Sequence, residues 1–121
     1  MSERIELGKR GESLAIEYLK LNGYSILEKN WRTSHREVDI IAQDNNEIVF
    51  IEVKTRTGIY SGNPVEAVNV QKQRLLIDAA EEYIISNNID LEARFDIISV
   101  IINGHMQNIN HIKEAFYSGI N

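Results

Sequence analysis

Cysteine is absent from the 121 residues, which removes disulfides, thiolate metal ligands and cysteine nucleophiles together. Proline occurs once, at Pro64, so there is no proline-rich linker, and that residue marks a turn rather than a domain boundary. Aromatic residues make up only 7% of the chain, which makes stacking on single strands an unpromising binding mode. Long hydrophobic runs are also missing. The longest apolar stretch, Ile97 to Ile102, is interrupted by Ser99 and is far too short to span a bilayer. The charged start, Met1-Ser2-Glu3-Arg4-Ile5-Glu6, has no apolar signal core, so a cytoplasmic protein with no membrane partner is expected. Neither a glycine-rich phosphate loop nor a serine elbow is visible, which argues against nucleotide hydrolases and esterases. His35, His105 and His111 are scattered without ligand spacing and are assigned no chemistry.

What is present describes an ordinary folded protein. The apolar fraction is 43% and the charged fraction 26%, and this length suits a single domain, residues 1–121, with its own core. The net charge of −5 argues against a generic basic DNA-coating protein. It leaves room for a nucleic-acid enzyme, because carboxylates that hold a divalent cation count as negative until the metal arrives.

Periodicity then divides the chain. Glu3 to Asn22 reads as a helix, with Leu14, Tyr18 and Leu21 at helical spacing, Ala15 and Leu19 widening the stripe, and Gly23 as C-cap. Tyr24 to Thr33 looks like a strand. Two period-2 runs between Arg36 and Arg56 flank Asn45-Asn46, a β-hairpin signal because Asn tolerates the left-handed conformation. An irregular connection from Thr57 to Val68, containing Gly58, Gly62 and Pro64, leads to Asn69, the N-cap of a helix from Val70 to Asn87 with Leu76, Ala79, Ala80 and Tyr83 buried. Arg94 to Ile102 reads as a buried strand, Asn103-Gly104 as a tight turn, and Met106 to Ile112 as a last strand. The order α-β-β-β-α-β-β implies an α/β or α+β sandwich, α/β foremost, with helices packed on a mixed five-stranded sheet.

The hairpin carries the chemistry. A turn centred between Asn45 and Asn46 places Asp39 opposite Glu52 and Glu37 opposite Lys54, and pairs Val38 with Val53, Ile40 with Ile51 and Ala42 with Val49. One face is then apolar, and the other holds Glu37, Asp39, Glu52, Lys54 and Arg56. A one-residue slip would turn the core residues outward. Opposed carboxylates, with Cβ atoms ~4.5–5.5 Å apart, destabilise a sheet unless a cation lies between them. Magnesium accepts one or two carboxylates plus water and phosphate oxygens, and Lys54 is placed to neutralise a phosphate. Acid and base residues alternating along a strand also describe a merely solvated face.

Asp39 followed by Glu52-Val53-Lys54 resembles the PD-(D/E)xK nuclease signature. A wider string makes the resemblance specific: Gly8-x-x-Gly11-Glu12-x-x-Ala15, Tyr18-Leu19, Gly23-Tyr24, Asn30-x-Arg32, Glu37 to Ala42, Phe50 to Lys54 with Arg56, Pro64-x-Glu66-Ala67-Val68, Lys72, Ala79-Ala80, Arg94-Phe95-Asp96 and His111-Ile112. Together these resemble the YraN-type endonuclease-related family, over nearly the whole chain. That family is placed by fold with Holliday-junction resolvases and restriction endonucleases. The resemblance implies a restriction-endonuclease-like core, with Asp39 and Glu52 as ligands of Mg2+ (or Mn2+), the Val53 carbonyl as a third, and Lys54 as the catalytic lysine. It also matches Glu12 to a glutamate that resolvase-like members hold near the metal, which would make Glu12 a catalytic residue and an additional ligand. Glu12 shares a stripe with Ile16 and Leu19, and Gly8 and Gly11 would allow close approach. The macrodipole equally favours a glutamate near a helix start.

Two positions depart from the pattern: Arg36 stands where the family usually has glycine, and Val38 where the superfamily name has proline. Neither removes a ligand. Lys72, in the first turn of the second helix, opposes the macrodipole and makes sense if it reaches a phosphate or the acidic residues. Gln71, Arg56, Arg32 and Arg74 are further phosphate-contact candidates. The leading expectation is metal-dependent phosphodiester hydrolysis in DNA, structured or branched, with an RNA substrate as a third reading. The alternative is a nucleic-acid-binding or repair-partner module on the same fold. A homodimer would suit a branched substrate by symmetry.

Overall fold

The computed structural model describes residues 2–33, 36–58 and 64–117. His35 and Gly62, named above, lie outside them. Helix α1 (Glu3–Leu21) starts at Ser2, whose hydroxyl accepts from the Ile5 N–H at 3.2 Å, and carries Glu3 and Glu6 in its first turn, where the macrodipole favours them. It ends in a Schellman turn: Tyr24 N–H donates to Leu19 C=O, Gly23 N–H to Lys20 C=O, and Gly23 takes φ +88°. The buried stripe is Gly11, Ala15 and Leu19. Leu21, expected on that stripe, is 81% exposed, because its direction lies well away from the Ala15–Leu19 row that meets the sheet.

Strands β1 (Ser25–Arg32), β2 (Glu37–Asp44) and β3 (Glu47–Thr57) form an antiparallel meander. A 3-10 turn at Pro64–Ala67 precedes α2 (Val70–Ser86), capped by the Asn69 carboxamide, which accepts from Lys72 N–H at 2.8 Å. Then come β4 (Glu92–Asn103), parallel to β3, and β5 (Met106–Phe116), antiparallel to β4. The five-stranded sheet has order β1-β2-β3-β4-β5. The α/β fold and element order therefore agree with the sequence reading. Among the described residues no helix is long and apolar enough to cross a membrane.

From the turn to Ile40 the hairpin register is the expected one: Ile40 faces Ile51, Ala42 faces Val49, and Asn45 at the turn takes φ +55°. The expected pairs beyond it, Asp39–Glu52, Val38–Val53 and Glu37–Lys54, do not form, because the two strands part after Ile40–Ile51. The second turn falls one residue later than expected, at Gly104-His105, with Asn103 paired to Met106.

The expectation of one apolar and one charged face is corrected. Ile40, Ala42, Val49, Ile51 and Val53 pack with Ala15 and Leu19 of α1. Ile41, Ile48 and Phe50 pack with Leu76, Ala79, Ala80 and Tyr83 of α2. A sheet covered by helices on both faces reads as a nearly continuous apolar run. Val38, expected beside Ile40, instead belongs to the α2-side core, so the alternation of β2 breaks at Asp39. Opposite that break, between the pairs Lys29–Ile40 and Trp31–Val38, Asn30 takes the left-handed conformation at φ +50°.

Gly11 sets how closely α1 approaches β3. A Cβ there would overlap the Thr55 side chain. Gly11→Ala is therefore expected to lower stability by about 1–3 kcal/mol through overpacking, despite alanine's better helix propensity. Urea denaturation tests this, and an unchanged midpoint would mean that the helix simply shifts.

Candidate active site

Five elements meet at the end of the sheet where β2 and β3 part. The paired ladder stops at Ile40–Ile51. Beyond it the register still points Asp39 toward Glu52, but no ladder pair forms there. Instead the Asp39 carboxylate reaches across, and its Oδ2 accepts from Val53 N–H at 2.8 Å. Glu52, only 5% exposed, is bracketed by two ammonium groups, Lys54 Nζ at 3.4 Å and Lys72 Nζ at 3.6 Å, both from Oε2. Lys72 reaches it from the first turn of α2, which accounts for a lysine in a position the macrodipole disfavours.

Glu12 enters from α1 and Glu37 from the start of β2. With the Asn30 amide turned so that its nitrogen faces the carboxylates, it donates to Glu12 Oε1 at 3.1 Å and Glu37 Oε1 at 3.2 Å. Arg32 closes the rim through an ion pair to Glu37 at 3.0 Å.

The electrostatics follow from this crowding. Burial, then the neighbouring Glu52, push the Asp39 carboxyl up to about 7, against the opposing Val53 N–H hydrogen bond; Glu12 and Glu37 push further in the same direction. Burial also raises Glu12, with Glu37 and Glu52 adding to it and the Asn30 amide opposing. Four carboxylates thus face one another with two lysines, an amide and a peptide N–H among them. Repulsion among these carboxylates would be relieved by a cation between them. Among the described residues, no three His, Asp or Glu side chains already stand in ligand geometry. A cation here would draw on Asp39, Glu52 and the Val53 carbonyl, with Glu12 alongside.

The site-residue candidates separate in space. Asp39, Glu52, Val53, Lys54, Glu12 and Lys72 come together. Arg56 borders a cleft beside Lys54. Gln71 and Arg74 are exposed on the first turns of α2, and Arg32 reaches only the rim. Arg36, the residue in place of glycine, points toward α2, with Nη2 3.5 Å from Asp78.

Asn30 went unrecognised as a site residue, although a lone Asn at a strand position is a signal for left-handed backbone. A second polar cluster was also missed. Arg94 clamps Asp96 with two bonds of 2.9 and 3.0 Å, and reaches Asp44 at 3.0 Å, Glu47 at 2.9 Å and the Tyr24 hydroxyl at 2.7 Å. His111 Nε2 lies 2.7 Å from Asp96, and its Nδ1 lies 3.0 Å from the Tyr18 hydroxyl. Burial alone would raise the Asp96 carboxyl, but His111, Arg94 and the Glu114 N–H together hold it below the usual range. The signal was an Arg-x-Asp pair inside an otherwise apolar strand, since a buried charge requires partners.

Comparison with known proteins accords with a whole-chain relationship. The profile of the uncharacterised protein family UPF0102 matches residues 11–100. A UPF0102 protein of Flavobacterium psychrophilum is 50% identical over 117 residues, covering 97% of this chain and 98% of that protein. One from Bacteroides thetaiotaomicron is 47% identical over 117 residues, with 97% of each covered. One from Chlorobium chlorochromatii is 42% identical over 118 residues, covering 93% and 92%. With its profile match and full-length relatives in agreement, the chain belongs to the UPF0102 family.

Proposed function

We propose that the chain is a metal-dependent nuclease of the PD-(D/E)xK type, which hydrolyses phosphodiester bonds in DNA with Mg2+ or Mn2+. The observation that carries this reading is the half-buried Asp39, held against the Val53 N–H beside Glu52 at a point where the sheet opens, where desolvation and the Glu52 charge disfavour its carboxylate. A divalent cation relieves that repulsion, and two carboxylates plus a carbonyl leave coordination positions for water and phosphate oxygens, as magnesium prefers. When bound, the ion would supply Lewis acidity to a phosphoryl oxygen and to a water.

The chain's own groups have separable tasks. Asp39 and Glu52 would hold the ion, while the Val53 N–H fixes the orientation of Asp39. Lys54 balances Glu52 in the absence of substrate and places its charge where negative charge develops on the phosphate. Lys72 holds Glu52 from the opposite side. Glu12, restrained by Asn30, offers an acceptor for a water on the α1 side.

The test is calorimetric titration with Mg2+ and Mn2+, followed by single-turnover cleavage of linear, nicked and four-way DNA and of RNA. Lys54→Ala is expected to bind metal still, because the ligands remain, while the cleavage rate falls on the order of 10²–10³-fold. Metal binding without cleavage of any substrate would transfer the fold to the role of a nucleic-acid-binding module.

A further inference from the structure

α1 carries two interior glycines, and the structure treats them oppositely. Gly11 is buried against Thr55, where any Cβ would clash. Gly8, about one turn earlier, has among the described residues no heavy atom within 4 Å of the position a Cβ would occupy, its chain neighbours and its own helix backbone aside. Glycine is the least favourable helix-interior residue after proline. At Gly8, nothing within the described residues accounts for it. A glycine that gives up helix stability without a packing reason marks a place where something outside the chain comes close to the backbone.

Gly8 borders an open cleft of about 330 Å³, between the first half of α1 and the last part of β3. Arg4, Gly8 and Glu12 follow one another at four-residue spacing and share one helix face, and all three border the cleft together with Lys54 and Arg56. Glu12 ties the cleft to the acidic cluster. Arg4 is exposed and forms no ion pair among the described residues.

Among the described residues, the opposite wall is an open sheet edge. After Ile51, β3 keeps β4 as its partner and loses β2. The Val53 N–H on that side is taken by Asp39. The N–H groups of Thr55 and Thr57 repeat with the same period-2 phase and have no strand partner on that side among the described residues. Peptide N–H donors, a guanidinium and an ammonium beside a smooth backbone suit a chain of phosphates better than an apolar ligand.

We infer that this cleft carries the phosphate backbone of the bound nucleic-acid strand on its way to the acidic cluster, and that Gly8 is the point of closest approach. The inference rests on the nuclease reading for its ligand class. It assigns Gly8 and Arg4 to strand binding, and places the strand along α1 and the free edge of β3.

The experiment measures fluorescence anisotropy of a labelled DNA oligonucleotide, single-stranded and duplex, at low salt with metal chelated. The proteins are the parent chain, Gly8→Ala, Gly8→Leu and Arg4→Ala. Gly8→Leu should weaken binding roughly ten-fold or more, and Gly8→Ala by a smaller factor, while both variants melt at or above the parent temperature because the helix gains propensity. Arg4→Ala should lower the slope of log affinity against log salt by about one. Mn2+ titration of the Gly8 variants reads the metal site independently and should match the parent. Parent-like oligonucleotide affinity in Gly8→Leu overturns the cleft, and with Mn2+ binding intact it leaves the metal-site reading standing. Loss of oligonucleotide binding in Gly8→Leu supports the cleft even if the parent fails to cleave. No binding by the parent overturns it outright.

Discussion

Asp39→Asn is expected to abolish divalent-metal binding and cleavage together, and at the same time to make the metal-free protein more stable above neutral pH. The substitution is almost isosteric, and the amide oxygen can still accept from Val53 N–H, so the geometry beside β3 survives. What disappears is a negative charge facing Glu52, Glu12 and Glu37. A carboxyl raised to about 7 in the folded state, against an unfolded value near ~3.9, favours protonation of the folded form. Folded stability is therefore unaffected below about pH 4, declines as pH rises through the window to about 7, and stays lower above it, by on the order of 2–4 kcal/mol for a shift of this size. The variant lacks that decline. Denaturation midpoints should coincide at about pH 4 and separate by pH 8 in chelator, with the variant ahead. Adding Mn2+ should raise the midpoint of the parent only, because only the parent keeps both carboxylates. Metal affinity of the parent should weaken as pH falls below about 7, since the ligand must be deprotonated. Cleavage that persists in Asp39→Asn would remove Asp39 from the site.

Removing Asp96 should have the largest effect on folding. Asp96→Leu leaves the Arg94 guanidinium, 6% exposed, without its bidentate partner, and leaves His111 Nε2 without its acceptor. Breaking a buried ion pair from one side typically costs about 3–5 kcal/mol, a large share of the ~5–15 kcal/mol that holds a domain together. Replacing both partners, Arg94→Met with Asp96→Leu, should be milder than Asp96→Leu alone, because the buried guanidinium goes with its carboxylate, and the charges that also lose Arg94, Asp44 and Glu47, are partly exposed. Urea denaturation of the two proteins decides between them, and the pair remains informative if the single variant does not fold. The pH response has the sign opposite to that of Asp39. Asp96 is held below the usual carboxylate range, so its contribution is present above about pH 4, and is lost as pH falls through its depressed value. The parent should lose stability in acid more steeply than the double variant. A double variant as damaged as the single would show that the cluster acts through shape rather than charge.

The two carboxylates show how much of the site was readable in advance. Asp39 could be placed from local pattern alone, because the Asn45-Asn46 turn and the period-2 apolar run agree on one register, which the Ile40–Ile51 and Ala42–Val49 pairs reproduce. Glu52 and Lys54 came with it, two residues apart on the same face. Lys72 could be suspected only as a misplaced charge at a helix start, and its target was invisible. Asn30 and the partners of Arg94 were not found at all. The Arg94 cluster gathers residues from the end of α1, the β2–β3 turn, β4 and β5, and no local period relates those positions.

By itself, the sequence determined the elements and their order. Helix caps, turns and apolar periods are set by groups a few residues apart, and these placed α2 with its buried residues Leu76, Ala79, Ala80 and Tyr83, the end of α1 at the left-handed Gly23, and the hairpin register as far as Ile40–Ile51. Tertiary structure alone decided which faces are covered. Because α1 and α2 lie on opposite sides of the sheet, the face expected to be charged is core near the turn, and becomes a site only where β2 and β3 diverge. That divergence moves Val38 to the α2 side, directs Asp39 onto the Val53 N–H and admits Glu12, Asn30 and Lys72 to the same cluster. Its physical cause is long-range: β3 continues along β4 to Thr57 after leaving β2 at Ile51, and a pairing between strands separated by a whole helix leaves no trace in local spacing.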